Sequence, residues 1–202
     1  MTGVPVQGAV TVHTTAERRL AAEHWLLSTL PAPRREQARV HWQTGGVALL
    51  PLGTLLAAVR LTGALVHAVA ASTKPEDVDA VLDEALQGGP VICDQHRQRY
   101  YVLVPASVPR TWRDAARDWR TDGVEVLGRA AYLGVPSMDA VTAASGVESY
   151  WAVPMESAGV LCTPLRVARL IAHGVHQLAE AAKAGLDAGS EPALIPVTGL
   201  RP

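Results

Sequence analysis

The alternation of apolar and polar positions divides the chain into helical and extended segments. From Thr15 to Leu30, Leu20, Trp25, Leu26 and Leu30 recur at helical spacing, with Thr15 as cap and Pro31 as stop. PAPRREQAR (31–39) reads as a polar connection. Val47–Leu52 and Ala57–Leu61 are nearly free of polar side chains, the pattern of strands buried on both faces. Leu65–Ala71 fits a helix or a strand equally. A second helix opens at Lys74-Pro75-Glu76-Asp77, with Val78, Val81, Leu82 and Leu86 on one face and Gly88-Gly89-Pro90 beyond its end.

A strand-rich half follows. Val91–Cys93 and Tyr100–Val104 flank DQHRQR, a hairpin turn. Thr111–Trp119 predicts a short helix with Trp112 and Trp119 a heptad apart. In GVEVLGRAAYLGVPS (123–137), two strands, Val124–Leu127 and Ala131–Val135, read as a hairpin joined across Gly128. Glu125 alternates with Val124 and Val126 and so lies on the face opposite them. After a loop over Met138–Glu148 come a strand, Tyr150–Val153, and an amphipathic helix from Thr163-Pro164 to about Ala184. The expected layout is an arm over 1–14, one domain over 15–184, and a Pro- and Gly-containing tail over 185–202. The element order does not suggest a regular βαβ wind. It predicts an α+β (mixed α/β) fold with a partly antiparallel sheet flanked by helices.

Composition narrows the function classes. In 202 residues, 49% are hydrophobic and 18% charged, enough for a real core. A formal net charge of −1 gives no global footprint for nucleic acid or an anionic membrane. Lysine occurs only at 74 and 183 among many arginines, and Ala, Val, Leu and Gly abound, as expected of a GC-rich, actinobacterial coding sequence. Cys93 and Cys162 have no CxxC spacing and read as reduced, buried thiols. The N-terminal stretch does not read as a signal peptide, and the longest uncharged run, Val40–Val59, is too broken by His41, Gln43, Pro51 and glycines to span a membrane. A cytoplasmic protein without a membrane partner is the expectation.

Chemistry is sparse. His173 and His176 share a helix face, but two imidazoles fall short of a zinc site. Cys93 and His96 point to opposite faces of a strand end and form no nucleophile–base pair. The arginine-rich middle stands out. Arg97, Arg99, Arg110, Arg113, Arg117, Arg120 and Arg129 interleave with Tyr100, Tyr101, Trp112, Trp119 and Tyr132. Cations among aromatics on a sheet suit phosphates and stacked bases. The competing reading is ordinary surface charge, since Asp94, Asp114, Asp118 and Asp122 are interspersed.

Taken together, GGPVICDQHRQRYYVLVPA, GVEVLGRAAYLGVPS and SYWAVP resemble the second half of the primase-polymerase domain of plasmid and phage replication proteins. That domain belongs to the archaeo-eukaryotic primase superfamily. Gly123, Val124, Val126, Gly128, Tyr132, Val135, Pro136, Ser137, Tyr150 and Trp151 carry the resemblance, which covers the middle third of the chain. The set is also similar to a group of actinobacterial proteins that look like diverged members of the same fold. The resemblance implies a primase-polymerase-like fold and, in an active member, two carboxylates at Asp-x-Asp or Asp-x-Glu spacing on an early strand, which with a third acid bracket two divalent ions. Here there is no Asp or Glu from Gln37 to Pro75. Glu125 stands for the third acid, His96 is a displaced counterpart of the nucleotide-gripping His, and Leu127 replaces an Arg.

The expectation is therefore a non-catalytic primase-polymerase-like domain that binds single-stranded nucleic acid, a nucleotide or a protein partner, without a cofactor. The contacts it implies are Arg97, Arg99, Tyr100, Tyr101, Arg129 and Tyr132. A second reading is a regulatory or interaction module whose apolar tail residues, Leu194, Ile195, Val197 and Leu200, dock on a partner or form a homodimer. A third is a residual Mg²⁺- or Mn²⁺-dependent nucleotidyl transferase or hydrolase using Glu125 with Asp94 and Asp122. It requires the strand carrying Asp94 to neighbour Val124–Leu127.

Overall fold

The computed structural model describes residues 14–144 and 146–189, with side chains as far as residue 184. The expected arm lies outside these residues except for Thr14, as does the expected tail beyond Gly189 with its four apolar candidates.

The chain enters through helix α1 (Thr15–Leu27), capped by Thr14 rather than Thr15. The Thr14 hydroxyl accepts the Glu17 amide at 3.2 Å and the Glu17 carboxylate accepts the Thr14 amide at 2.7 Å, a reciprocal capping box. Instead of a polar connection, 31–39 opens a second helix, α2 (Ala32–Gln43). Prolines in a first turn occupy positions whose amides have no helical partner, so Pro31 and Pro33 start this helix. Its apolar stripe is only Ala38 and Trp42, four apart, too narrow to stand out among arginines.

Strands β1 (Val47–Pro51) and β2 (Leu56–Thr62) form as expected, but they join different sheets. Helix α3 (Gly63–Ala70), capped by the Thr62 hydroxyl, resolves the ambiguous Leu65–Ala71 segment. Helix α4 (Pro75–Leu86) buries Val78, Leu82 and Leu86. Strands β3 (Val91–Asp94) and β4 (Arg99–Pro105) form the expected hairpin, with Cys93 opposite Tyr100 and Asp94 opposite Arg99. The expected helix at Thr111–Trp119 is broken into α5 (Val108–Thr111), α6 (Arg113–Asp118) and a 3-10 turn (Trp119–Asp122). Trp112 and Trp119 nevertheless meet edge to face, with ring centroids 5.3 Å apart.

Strands β5 (Glu125–Leu127), β6 (Tyr132–Pro136) and β7 (Ser149–Val153) precede helix α7 (Pro164–Gly189), which runs past the expected end near Ala184. The expected β5–β6 hairpin across Gly128 does not form. β5 pairs with β2, whereas β6 pairs with β1 in a separate two-stranded ribbon. Alternation sets which face each strand buries but leaves its partner open. The five-stranded sheet has the order β5-β2-β4-β3-β7, and every pairing is antiparallel rather than partly so. The architecture is thus mixed α/β, with seven α-helices among the described residues and antiparallel sheets. No helix among the described residues is long and apolar enough to cross a membrane.

One face of the five-stranded sheet is covered by α3, α4 and α7. Val59, Leu61, Val102 and Val104 pack there on Leu65, Leu82, Val167 and Ile171. The other face is covered only in part. Leu56, Ala58, Ile92, Leu103 and Trp151 lie beneath α1, α2 and the β1–β6 ribbon. The Trp42 indole ties α2 to that ribbon, its Nε1 donating to the Val135 carbonyl at 2.8 Å. The ribbon turns Ala48, Leu50, Leu133 and Val135 inward. Its outward residues include Leu49, 64% exposed, and Tyr132, 59% exposed, so β1 is not buried on both faces. Beyond the ribbon's edge the sheet is open.

Candidate functional site

The open part of the sheet follows from strand alternation. On β2, Leu56 and Ala58 enter the core beneath the ribbon, so Arg60 and Thr62, two and four residues on, share their face beyond it. On β4, Leu103 is covered and Tyr101 and Arg99 extend the same face. On β3, Ile92 is covered and Asp94 follows, and on β5 Leu127 is preceded by Glu125. The register places Glu125, Arg60 and Tyr101 in one row, and Thr62, Arg99, Asp94 and Ser149 in the next. A polar row thus continues a face whose other half is hydrophobic core.

Arg60, Tyr101, Arg99, Asp94 and Ser149 of these rows floor a groove of about 510 Å³ whose wall is the ribbon edge, including Val47, Leu49, Tyr132 and Gly134. Six of the residues singled out from sequence line it together: Asp94, His96, Arg97, Arg99, Tyr101 and Tyr132. Arg60 and Glu148 also line it. A second recess of about 460 Å³ shares Arg60 and Arg99 and adds Thr62, Arg120 and Glu125. Arg60 is paired with Glu125 directly across β2 and β5. The Asp94 carboxylate accepts the Arg97 amide at 3.0 Å, closing the β3–β4 turn, and lies 4.0 Å from the Arg97 guanidinium. Arg99 has no ion-pair partner among the described residues.

Two expected contacts lie elsewhere. Tyr100 alternates with Tyr101 onto the helix-covered face, where it is buried between Cys93 and His67, so it cannot stack a base. Arg129 is exposed in the turn before β6 and does not line the groove. Arg60 was missed. Its signal was present, since it is the one Asp, Glu, Lys or Arg between Arg39 and Lys74, inside an apolar strand.

The carboxylates do not assemble into a metal site. Glu125 and Asp94 share a face, but β2 and β4 run between their strands. Glu125 is engaged by Arg60, and Asp122 ends the 3-10 turn. Strand β2 turns the Arg60 guanidinium toward the groove and contributes no carboxylate to it. Among the described residues no group of three or more His, Cys, Asp or Glu gathers closely enough to hold a metal ion. His173 and His176 lie exposed on α7, and both cysteines are free and buried.

A separate polar cluster lies on the helix-covered face. The Tyr150 hydroxyl, on β7, donates to Asp79 Oδ1, on α4, at 3.1 Å, and Cys93 lies near Tyr100 and Tyr150. Burial raises the Asp79 carboxyl from 3.8 to about 6, against the opposing effect of the Tyr150 hydrogen bond. Burial also pushes the Cys93 thiol up to about 11 and lowers His67. Thiolate is therefore scarce near neutrality, which fits a packing role for Cys93.

Because the folded pKa of Asp79 lies above its unfolded value, its contribution to stability is full below pH 3.8 and is lost as pH rises through about 6. Asp79→Asn keeps an acceptor for Tyr150 and removes the buried charge. With a discount for partial solvent screening, the variant should be more stable than wild type by about 1–2 kcal/mol above pH 7. The difference should shrink to near zero by about pH 4. Urea melts at several pH values check this, and a difference that is constant with pH refutes the assignment.

Comparisons with protein-family models, with curated proteins and with solved structures give no match to this chain.

Proposed function

We propose that the chain is a non-catalytic, primase-polymerase-like domain that binds single-stranded nucleic acid in the open groove of its sheet. The observation that carries this reading is the composition of the groove. Arg60, Arg97 and Arg99 stand beside the half-buried ring of Tyr101 and the exposed ring of Tyr132, and outnumber the two acids of the groove, Asp94 and Glu148. Guanidinium groups hold phosphates, and tyrosine rings stack bases without regard to sequence. The near-zero net charge leaves any attraction local to the groove, where three arginines stand against two acids, Asp94 and Glu148. Relationship to primase-polymerase domains rests on the motif set at 88–106, 123–137 and 149–154 and is part of the proposal. The lack of any acid on β1 and β2, where β2 carries Arg60 instead, is the reason the binding is proposed without phosphoryl transfer.

Fluorescence anisotropy with a labelled oligothymidylate tests the reading. Binding should weaken with salt by about 0.7 in the logarithmic slope for each phosphate held. Arg99→Ala should weaken binding by about five- to twentyfold and lower that slope by about one contact. Tyr100→Phe, on the covered face, should leave it unchanged. Undetectable binding at low salt overturns the nucleic-acid reading. Saturable binding of a mononucleotide with none of an oligonucleotide would replace it with a nucleotide site.

A further inference from the structure

The groove does not end at the ribbon. Leu49 and Tyr132 line the open sheet groove on one side of the ribbon and a second groove of about 470 Å³ on the other. That second groove is completed by Leu30, Ala38, Gln37, Arg34 and His41. The ribbon's outward face is uncharged. On β1 it presents Val47, Leu49 and Pro51, and on β6 Tyr132 and Gly134, which lie opposite Pro51 and Leu49 in the register. Gly134 stands opposite Leu49 and adds no side chain, which leaves the flank of Leu49 free. The result is an exposed apolar ridge, 64% open at Leu49 and 59% at Tyr132, with a guanidinium group on either side. Arg60 and Arg99 stand on the sheet side. Arg34 stands on the helix side, exposed and without an ion pair among the described residues.

We infer that a single strand crosses this ridge: its bases lie on Tyr132 and Leu49, and its backbone continues to a second phosphate subsite at Arg34 and His41. This rests on the reading of the groove proposed above and extends it across the ribbon. The alternation of cation, apolar platform and cation matches a polyanion carrying stackable bases at each repeat. A mononucleotide offers one base and one cluster of phosphates, and could not use both sides of the ridge at once. A purely apolar protein partner would have no use for the two flanking cations.

Oligothymidylates of about four and about twelve nucleotides separate the two sides, since sites of this kind span about 4–16 nucleotides. Arg34→Ala should weaken the longer oligonucleotide by about fivefold, reduce its salt slope by about 0.7, and leave the shorter one unchanged. Arg99→Ala should weaken both. Leu49→Ser, at a solvent-facing position, should weaken the longer one without altering the melt. Binding of both lengths with no effect of Arg34→Ala would end the path at the ridge and leave the groove reading intact. Loss of self-association in Leu49→Ser, with oligonucleotide binding unchanged, would reassign the ridge to a contact between copies and overturn the inference. Failure of both lengths to bind wild-type protein at low salt would remove the groove reading and the crossing together.

Discussion

Trp42→Ala is expected to destabilise the protein by about 3–5 kcal/mol, the range for deleting a large aromatic from a core. Trp42 is 7% exposed and packs among Ala38, Ala48, Leu50 and Val135 in the second core cluster. Its Nε1–H also satisfies the Val135 carbonyl on β6, 93 residues away, at 2.8 Å. Trp42→Phe separates the two contributions. It retains most of the ring and abandons the hydrogen bond, and should cost about 1–3 kcal/mol. Among the described residues no further strand pairs with the two-stranded ribbon, and isolated two-stranded pairs are marginal in water. The indole is therefore a main tie between the ribbon and the rest of the molecule. Since the ribbon is one wall of the groove, Trp42→Ala should lower oligonucleotide affinity as well, at temperatures where the sheet is still folded. Urea melts of the three proteins decide the point. A cost below about 1 kcal/mol for the alanine variant would show that the ribbon is held by other contacts.

Gly53→Ala is the second substitution expected to have a large effect, at about 2–5 kcal/mol. Gly53 has φ +92° between β1 and β2, where its amide donates to the Leu56 carbonyl at 2.7 Å. A Cβ at this position would lie 2.5 Å from the Arg129 amide nitrogen and 2.6 Å from the Arg129 Cα. The obstacle is backbone, which cannot swing aside as a side chain can. Gly88 is the internal control. It has φ +71° but nothing within 4 Å of the added carbon. Gly88→Ala should therefore cost only the left-handed strain, about 1 kcal/mol. The difference between the two thermal midpoints measures the close approach of the β1–β2 turn to the turn before β6. Equal midpoints would refute it.

Much of the local structure was legible along the chain. The DQHRQR hairpin, the helix at Pro75–Leu86 and the strands at Val47 and Tyr132 each announce themselves through turn residues or periodicity. Helix α2 was hidden because its buried stripe is two residues wide and its prolines resemble loop residues. The site was legible as a set of residue types more than as a place. Arg97, Arg99, Tyr101 and Tyr132 do come together, yet Tyr100, their neighbour in sequence, is buried on the opposite face. Which of two adjacent tyrosines faces a groove depends on which half of the face the helices cover. Periodicity in one strand is blind to that.

GVEVLGRAAYLGVPS shows the division between what sequence and tertiary structure decide. From sequence alone, its two strands, the outward alternation of Glu125 and the lack of acids on the early strands are determined, because they depend only on residue type and a period of two. That the strands part into different sheets, that Glu125 meets Arg60 rather than Asp94, and that Tyr132 stands on a ridge between two grooves were decided by the tertiary structure. Strand pairing is a contest among all edges of the chain at once, and it is settled by which buried faces can be covered together.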